Sequence, residues 1–259
     1  MTKLYQKSEI TFAILWIVAY VVLTSIADQI SESVGIIKSV TALLHIVMSL
    51  VLYFWIRNNH LDKKYCFCSS VVSAKRFLYY LPLVIIASTA FWGGIKMQYS
   101  VQETVLYIIS MCCVGFLEEV IFRGLLFRAM KKDNVKSAII VSALTFGIGH
   151  IVNLLNGSGR ELLSSLVQII FAVLVGFVLV LIFYHGKSLT ACILFHSANN
   201  ALKVFAGGGS LSPQTEMIMN LVISVVVLGG YLFYLVKAFP MNKEIASGGN
   251  DFRQRSGCY

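Results

Sequence analysis

Eight apolar stretches dominate the sequence, and each is long enough to cross a lipid bilayer as an α-helix. A spanning helix needs about 17–25 predominantly apolar residues. Hydrophobic residues make up 58% of the chain and charged residues 13%, whereas soluble domains contain about 45–50% and about 25%. The sequence therefore predicts an all-α fold, a polytopic membrane helical bundle of about eight transmembrane helices. The predicted spans are 10–27, 36–56, 77–95, 103–130, 135–155, 162–184, 188–205 and 217–239.

The apolar stretches divide the chain into four parts. Residues 1–100 are expected to form N-terminal transmembrane helices, and residues 206–241 a C-terminal transmembrane helix. The core predicted between them, residues 101–205, holds the polar motifs described below. Residues 242–259 are polar and rich in glycine and serine, which predicts a disordered cytoplasmic tail.

The net charge of +9 arises from loops that connect the apolar stretches, rather than from a nucleic-acid-binding surface. Every second loop is basic, and the most basic one contains Lys63 and Lys64. Basic loops remain on the cytoplasmic side of a membrane. The pattern predicts a multi-pass protein of the cell membrane with both termini in the cytoplasm, and no nucleic-acid partner.

Three charged residues, Glu118, Glu119 and Arg123, interrupt the apolar stretch 103–130. An ionised residue at the centre of a membrane costs about 2.5–3.5 kcal/mol even on a lenient insertion scale, so these side chains should face a polar cavity. Glu119 and Arg123 are four residues apart, which allows an intrahelical ion pair. Glu118 is turned by about 100° from Glu119, so one carboxylate can hold the arginine while the other points into the cavity.

Two further polar sets lie in later apolar stretches. Phe146 and His150 are four residues apart, as are His196 and Asn200, so each pair shares one helix face. Counted from the basic loops, Glu118 and His150 lie about 20 and 21 Å deep and His196 about 14 Å deep. The polar residues of three helices are therefore expected to meet in one layer of the membrane.

Other small or polar residues in these stretches are predicted to be structural. Gly147 and Gly149 would let a neighbouring helix backbone approach closely. Ser142 is expected to form an interhelical hydrogen bond. His45 lies in the second span without a motif partner, which favours a structural role.

The predicted layer is suited to hydrolysis of an amide bond. A carboxylate with a nearby histidine can hold a water molecule and take its proton as a general base. A second histidine and an asparagine amide can donate hydrogen bonds to an oxyanion. Glu118, His150 and His196 are also a plausible zinc-ligand set with water in the open position. The residues alone leave these two arrangements open.

Three motifs resemble, in type and in order, those of the CaaX protease and bacteriocin-processing family of intramembrane endopeptidases, also called the CPBP or Abi family. They are Glu118-Glu119-x-x-x-Arg123, Phe146-x-x-x-His150 and His196-x-x-x-Asn200. Each motif alone is unspecific, but all three in order on successive apolar stretches form a strong signal. The resemblance covers roughly residues 101–205, which would be an Abi/CaaX-protease-like catalytic core.

The resemblance implies an intramembrane endopeptidase that acts on a membrane-associated peptide or protein. Glu118 would be the base that activates water, with assistance from His150, while His196 and Asn200 would form the oxyanion hole. Glu119, Arg123 and Phe146 would support the site. No cofactor is expected because the better understood relatives resemble metal-independent glutamate proteases, although zinc stays open. Both CaaX-type processing and cleavage of a peptide leader, as in bacteriocin processing, fit.

Two functions of other classes use the same residues. In a proton-coupled transporter, Glu118, His150 and His196 would relay protons. In a non-catalytic immunity protein, the same cavity would bind a peptide. The apolar stretches show no obvious inverted repeat or broken helix of the kind found in carriers, which favours the protease.

Overall fold

A computed structural model describes residues 1–152, 162–209 and 211–240. Within those ranges the fold is helical, apart from an isolated β-bridge between Ile95 and Ala206. The longer helices of these ranges are α2 (Glu9–Val34), α3 (Ser39–Asn58), α5 (Val101–Glu118), α7 (Val135–Gly149), α8 (Leu162–Gly186), α9 (Thr190–Ala201) and α10 (Pro213–Ala238). Short helices are α1 (Thr2–Lys7), α4 (Leu81–Ser88) and α6 (Arg128–Lys131). The predicted tail, 242–259, lies outside the described residues.

The prediction of a polytopic helical membrane bundle is confirmed. Five helices of the described residues are long and apolar enough to span a bilayer: α2, α3, the continuous helix Val101–Lys131, α8 and α10. The predicted spans 135–155 and 188–205 contain the shorter helices α7 and α9. The count of eight spans therefore remains a prediction.

The predicted span 77–95 is not one regular helix. It begins in a 3₁₀ segment, Ala74–Tyr80, in which Leu78 and Tyr79 have left-handed backbone angles, as does Tyr80 at its end. Pro82 then lies in the first turn of α4, a position that proline tolerates because the first helical N–H groups have no partner. The apolar character of this stretch was predicted correctly, but its backbone break was not.

The long helix Val101–Lys131 changes its winding where the charged residues begin. Its start is fixed by a capping box, in which Ser100 and Glu103 satisfy each other's backbone N–H groups. Residues Glu119–Phe127 then form a π-helical segment, and all nine are buried. Single π turns inside α-helices occur frequently at functional sites, and this one contains both Glu119 and Arg123.

Glycines determine how closely the helices around this segment pack. A Cβ atom on Gly115 would lie 2.2 Å from Ser197 Oγ and 2.6 Å from the Ser197 backbone nitrogen, so α5 and α9 touch backbone to backbone. A Cβ on Gly147 would lie 2.9 Å from the backbone nitrogen of Val173, which confirms the close approach predicted there. The prediction was wrong for Gly149, whose Cβ would have no neighbour within 4 Å among the residues that the structure describes.

Two residues predicted to be structural make interhelical contacts. Ser142 Oγ donates a hydrogen bond of 3.0 Å to the carbonyl oxygen of Phe122 in the π segment. His45 is buried, with one ring nitrogen 3.0 Å from Thr24 Oγ1 on α2 and the other 2.9 Å from Ser110 Oγ on α5. His45 thus connects three helices.

A carboxylate at the start of α2 ties that helix to two basic segments. Glu9 Oε2 lies 2.7 Å from Lys64 Nζ, and its other oxygen lies 2.5 Å from Lys132 Nζ, just after α6. Because Glu9 bridges both lysines, α2 is fixed to the end of the long helix.

The basic loop after α3 folds back into the protein. Tyr65 and Cys66 are buried there, and burial raises the pKa of both side chains. Arg128 in α6 donates a hydrogen bond to the Cys66 thiol. Lys63 remains exposed at the surface, so this residue marks the outer side of the loop.

Candidate active site

The predicted ion pair between Glu119 and Arg123 lies at the base of the site. Both side chains are 0% exposed, and Arg123 Nη1 lies 3.0 Å from Glu119 Oε1. The guanidinium group also lies 4.2 Å from the centre of the Phe146 ring, a cation–π contact that helps to compensate for burial. Its other terminal nitrogen donates to the carbonyl oxygen of Gly176 at 3.5 Å. Helices α7 and α8 thus both contact the buried cation.

His196 lies between the two adjacent glutamates. Its Nδ1 is 2.8 Å from Glu119 Oε1, and its Nε2 is 3.4 Å from Glu118 Oε2. A neutral imidazole carries a proton on one nitrogen only. Donation from Nδ1 to Glu119 therefore leaves Nε2 and Glu118 Oε2 as the two groups between which a further proton can be exchanged.

Glu118 is the more accessible of the two carboxylates. Its relative exposure is 9%, compared with 0% for Glu119. Its Oε1 accepts a hydrogen bond of 2.7 Å from the hydroxyl of Tyr20 on α2. Its Oε2 accepts no hydrogen bond from the described residues. One oxygen of Glu118 is thus fixed, and the other is a buried acceptor beside His196.

Tyr20 is not among the site residues predicted from the sequence. This residue lies 98 positions before Glu118, so no motif spacing connects them. A tyrosine within a long apolar stretch does carry one signal, because a buried hydroxyl usually finds a hydrogen-bond partner. That signal indicates a need for a partner, but it does not identify the partner.

His150 contacts the cluster through Phe146. Its Nδ1 donates to the Phe146 carbonyl oxygen at 3.0 Å, so in the neutral ring Nε2 is the hydrogen-bond acceptor. The Phe146 ring makes edge contacts with the rings of His150 and His196, with centroids 5.3 and 5.5 Å away.

Asn200 is less closely connected to Glu118 than the other predicted residues. It lies one turn beyond His196, and its side-chain oxygen accepts a hydrogen bond of 3.4 Å from Asn199. Asn199 lines a separate pocket of about 190 Å³. That pocket is lined by Thr89, Ala90, Gly93, Asn199, Lys203, Ala206, Gly207, Glu216 and Asn220. The structure therefore brings together Glu118, Glu119, Arg123, Phe146 and His196, places His150 beside them, and leaves the oxyanion role of Asn200 a prediction.

Zinc dependence stays a prediction for this site. Among the described residues, no three His, Cys, Asp or Glu side chains are arranged as a metal-binding group. Nδ1 of His196 contacts Glu119, and Nδ1 of His150 contacts a backbone carbonyl. These contacts would fix the two rings in the same way whether Nε2 faces water or a metal ion.

A comparison with protein families identifies the central part of the chain. Residues 100–202 match the family model described as Type II CAAX prenyl endopeptidase Rce1-like. For this segment, the match agrees with the CaaX protease family that the three motifs resemble. The Rce1-like segment contains every site residue predicted from the sequence, whereas Tyr20 lies outside it. No curated protein and no solved structure matches the chain.

At the level of the family, the Rce1-like match supports a CAAX-type intramembrane endopeptidase. The apolar helices support a multi-pass membrane protein. A membrane-embedded protease acts on substrates associated with the lipid bilayer.

Proposed function

We propose that this protein is an intramembrane glutamate endopeptidase that cleaves a membrane-associated CAAX-type substrate with a water molecule activated by Glu118. The observation that supports it best is the placement of Glu118. Its carboxylate lies between the Tyr20 hydroxyl and the His196 ring, beside a buried ion pair. The Rce1-like match covers the same residues.

In the proposed reaction, Glu118 Oε2 takes a proton from water while the water oxygen attacks the peptide carbonyl carbon. Nε2 of His150 is an acceptor that can orient the same water molecule. The carbonyl oxygen becomes an oxyanion, which accepts hydrogen bonds from His196 Nε2, when that atom is protonated, and from the Asn200 amide. The proton on Glu118 then passes to the leaving nitrogen, the C–N bond breaks, and a new carboxyl terminus and a free amine are released.

Glu119 and Arg123 have a supporting role in this proposal. Glu119 accepts a hydrogen bond from His196 Nδ1 and forms an ion pair with Arg123. This fixes the orientation of the imidazole in the same way that a carboxylate orients histidine in other hydrolases. The chemistry of the proposed site uses these side chains without a metal.

The test is cleavage of a fluorogenic prenylated peptide with a CAAX end by the purified protein in liposomes. Glu118→Gln is expected to lower cleavage at least about 1000-fold, because an amide cannot accept the proton from water. Glu32→Gln is the matched control, because Glu32 is an exposed carboxylate on α2 and its loss should leave the rate unchanged. Full activity of the Glu118→Gln protein would contradict the assignment.

The same liposomes separate the other functions considered for this site. Proton-coupled movement of solute without cleavage would favour a transporter. Peptide binding without cleavage, equal in wild type and the Glu118→Gln protein, would favour an immunity protein. Loss of cleavage with a strong zinc chelator, restored by zinc, would favour the zinc arrangement over the metal-free one.

A further inference from the structure

The candidate active site includes one contact from outside the Rce1-like segment. The Tyr20 hydroxyl donates its hydrogen bond to Glu118 Oε1 at 2.7 Å, and both residues are buried. Tyr20 belongs to α2, which precedes the matched residues 100–202. A hydrogen bond to a charged group is stronger than a bond between neutral groups.

The position of Tyr20 is fixed by its neighbours. Its ring packs against the ring of His45, with centroids 5.8 Å apart and planes tilted by 31°. His45 is held in turn by Thr24 on α2 and Ser110 on α5. At the start of α2, Glu9 forms ion pairs with Lys64 and Lys132. The hydroxyl is therefore held by three helices and cannot easily swing away from the carboxylate.

We propose that Tyr20 is a positioning residue for Glu118, so that the N-terminal helix α2 completes the active site. This inference rests on the proposed function of Glu118 as the base. Tyr20 holds Oε1 and thereby directs Oε2 towards His196 and the attacking water. Without the hydroxyl, the carboxylate can rotate, and its charged form loses a donor.

Several charged or titratable groups surround Glu118, and Tyr20 is the one that binds Oε1. His196 on α9 approaches the carboxylate from another helix, His45 on α3 packs against the Tyr20 ring, and His150 at the end of α7 contacts the Phe146 ring. Glu119 and Arg123 follow Glu118 on its own helix. Tyr20→Phe removes only the hydroxyl, so a change in kcat can be attributed to the lost donor.

The experiment compares Tyr20→Phe with Tyr231→Phe in the fluorogenic cleavage assay. Tyr231 is the matched control because it is also buried and its hydroxyl donates a single 2.8 Å bond, to the carbonyl oxygen of Phe77. Tyr20→Phe is expected to lower kcat by about 10- to 100-fold with little change in KM. Tyr231→Phe should change neither quantity.

Equal kcat values for wild type and the Tyr20→Phe protein would overturn the inference. A loss of activity shared between kcat and KM, together with a lowered melting temperature like that of Tyr231→Phe, would assign Tyr20 a merely structural role and would overturn it as well. Glu118→Gln in the same assay tests the proposed function separately, because loss of the base should stop cleavage whether or not Tyr20 positions the carboxylate.

A second measurement applies if the wild type does not cleave the prenylated peptide. Thermal unfolding of Tyr20→Phe, Glu118→Ala and the double variant forms a mutant cycle, because alanine removes the acceptor of the Tyr20 hydrogen bond. A direct hydrogen bond predicts that the two single effects do not add, whereas Tyr231→Phe and Glu118→Ala should add. Additive effects for both pairs would show that Tyr20 does not act on Glu118.

Discussion

Adjacent glutamates in this protein have different surroundings because only one of them pairs with the buried arginine. Glu119 lies against Arg123 with no exposed surface, while Glu118 retains a small exposed fraction. The spacing of four residues predicted this pairing, and the π winding of the segment preserves it. Pairing with Arg123 therefore distinguishes Glu119, the proposed supporting carboxylate, from Glu118, the proposed base.

Arg123→Ala tests this dependence. The change leaves Glu119 buried without its cation, which is expected to destabilise the protein by about 3–5 kcal/mol. Thermal unfolding in detergent measures the effect. Arg57→Ala is the control, because Arg57 pairs with Asp62 at the exposed surface and its loss should hardly change the melting temperature. Similar melting temperatures for the two variants would show that the buried pair contributes little.

At the level of single residues, local spacing predicted part of the site. Helical periodicity is sufficient to place Arg123 beside Glu119. The resemblance to the family motifs is sufficient to select His150 and His196. The partner of Glu118 on α2 is 98 positions away, and its contact depends on how helices pack rather than on any repeat. Tyr20 could therefore not be assigned before the packing was known.

Among the helices, the crossing of α5 and α9 does most to form the site. Gly115 lies where the backbone of α9 passes at Ser197, next to His196. The crossing brings the histidine of one helix within reach of the glutamates that follow the other. A larger residue at this position would increase the distance between those groups.

Gly115→Ala is expected to separate α5 from α9, because the new methyl group would collide with the backbone of Ser197. Overpacking of this kind typically costs about 1–3 kcal/mol, and cleavage should fall because His196 moves away from Glu118. Activity and melting temperature are measured together. Gly230→Ala in α10 is the control: its methyl group meets open space, so it should retain activity. Retained activity in both variants would contradict the role given to this crossing.

The boundaries of the helices were predicted better than their winding. The apolar stretch 103–130 corresponds to the helix Val101–Lys131, because hydrophobicity and the capping box both mark its start. The π register of Glu119–Phe127 has no compositional signal, since the same residues fit an α-helix. The left-handed residues before α4 are leucine and tyrosine, which hydropathy alone does not identify as a break.

In the molecule as a whole, the charge pattern predicts which surface faces the cytoplasm. An epitope inserted after the exposed Lys63 should be cytoplasmic, and one inserted after the exposed Leu211 should be on the opposite side. Antibody binding before and after permeabilisation measures both positions. Accessibility of the Lys63 epitope in intact cells would reverse the predicted orientation, and equal accessibility of both epitopes would contradict an odd number of spans between them.

The π segment also has an evolutionary consequence. A π turn holds more residues than an α turn, so loss of a single residue between positions 119 and 127 would let the helix relax to the commoner winding. The local backbone would gain regularity, but a deletion between Glu119 and Arg123 would also remove the four-residue spacing of their ion pair. This part of the helix should therefore be intolerant of deletions that a purely structural span would accept.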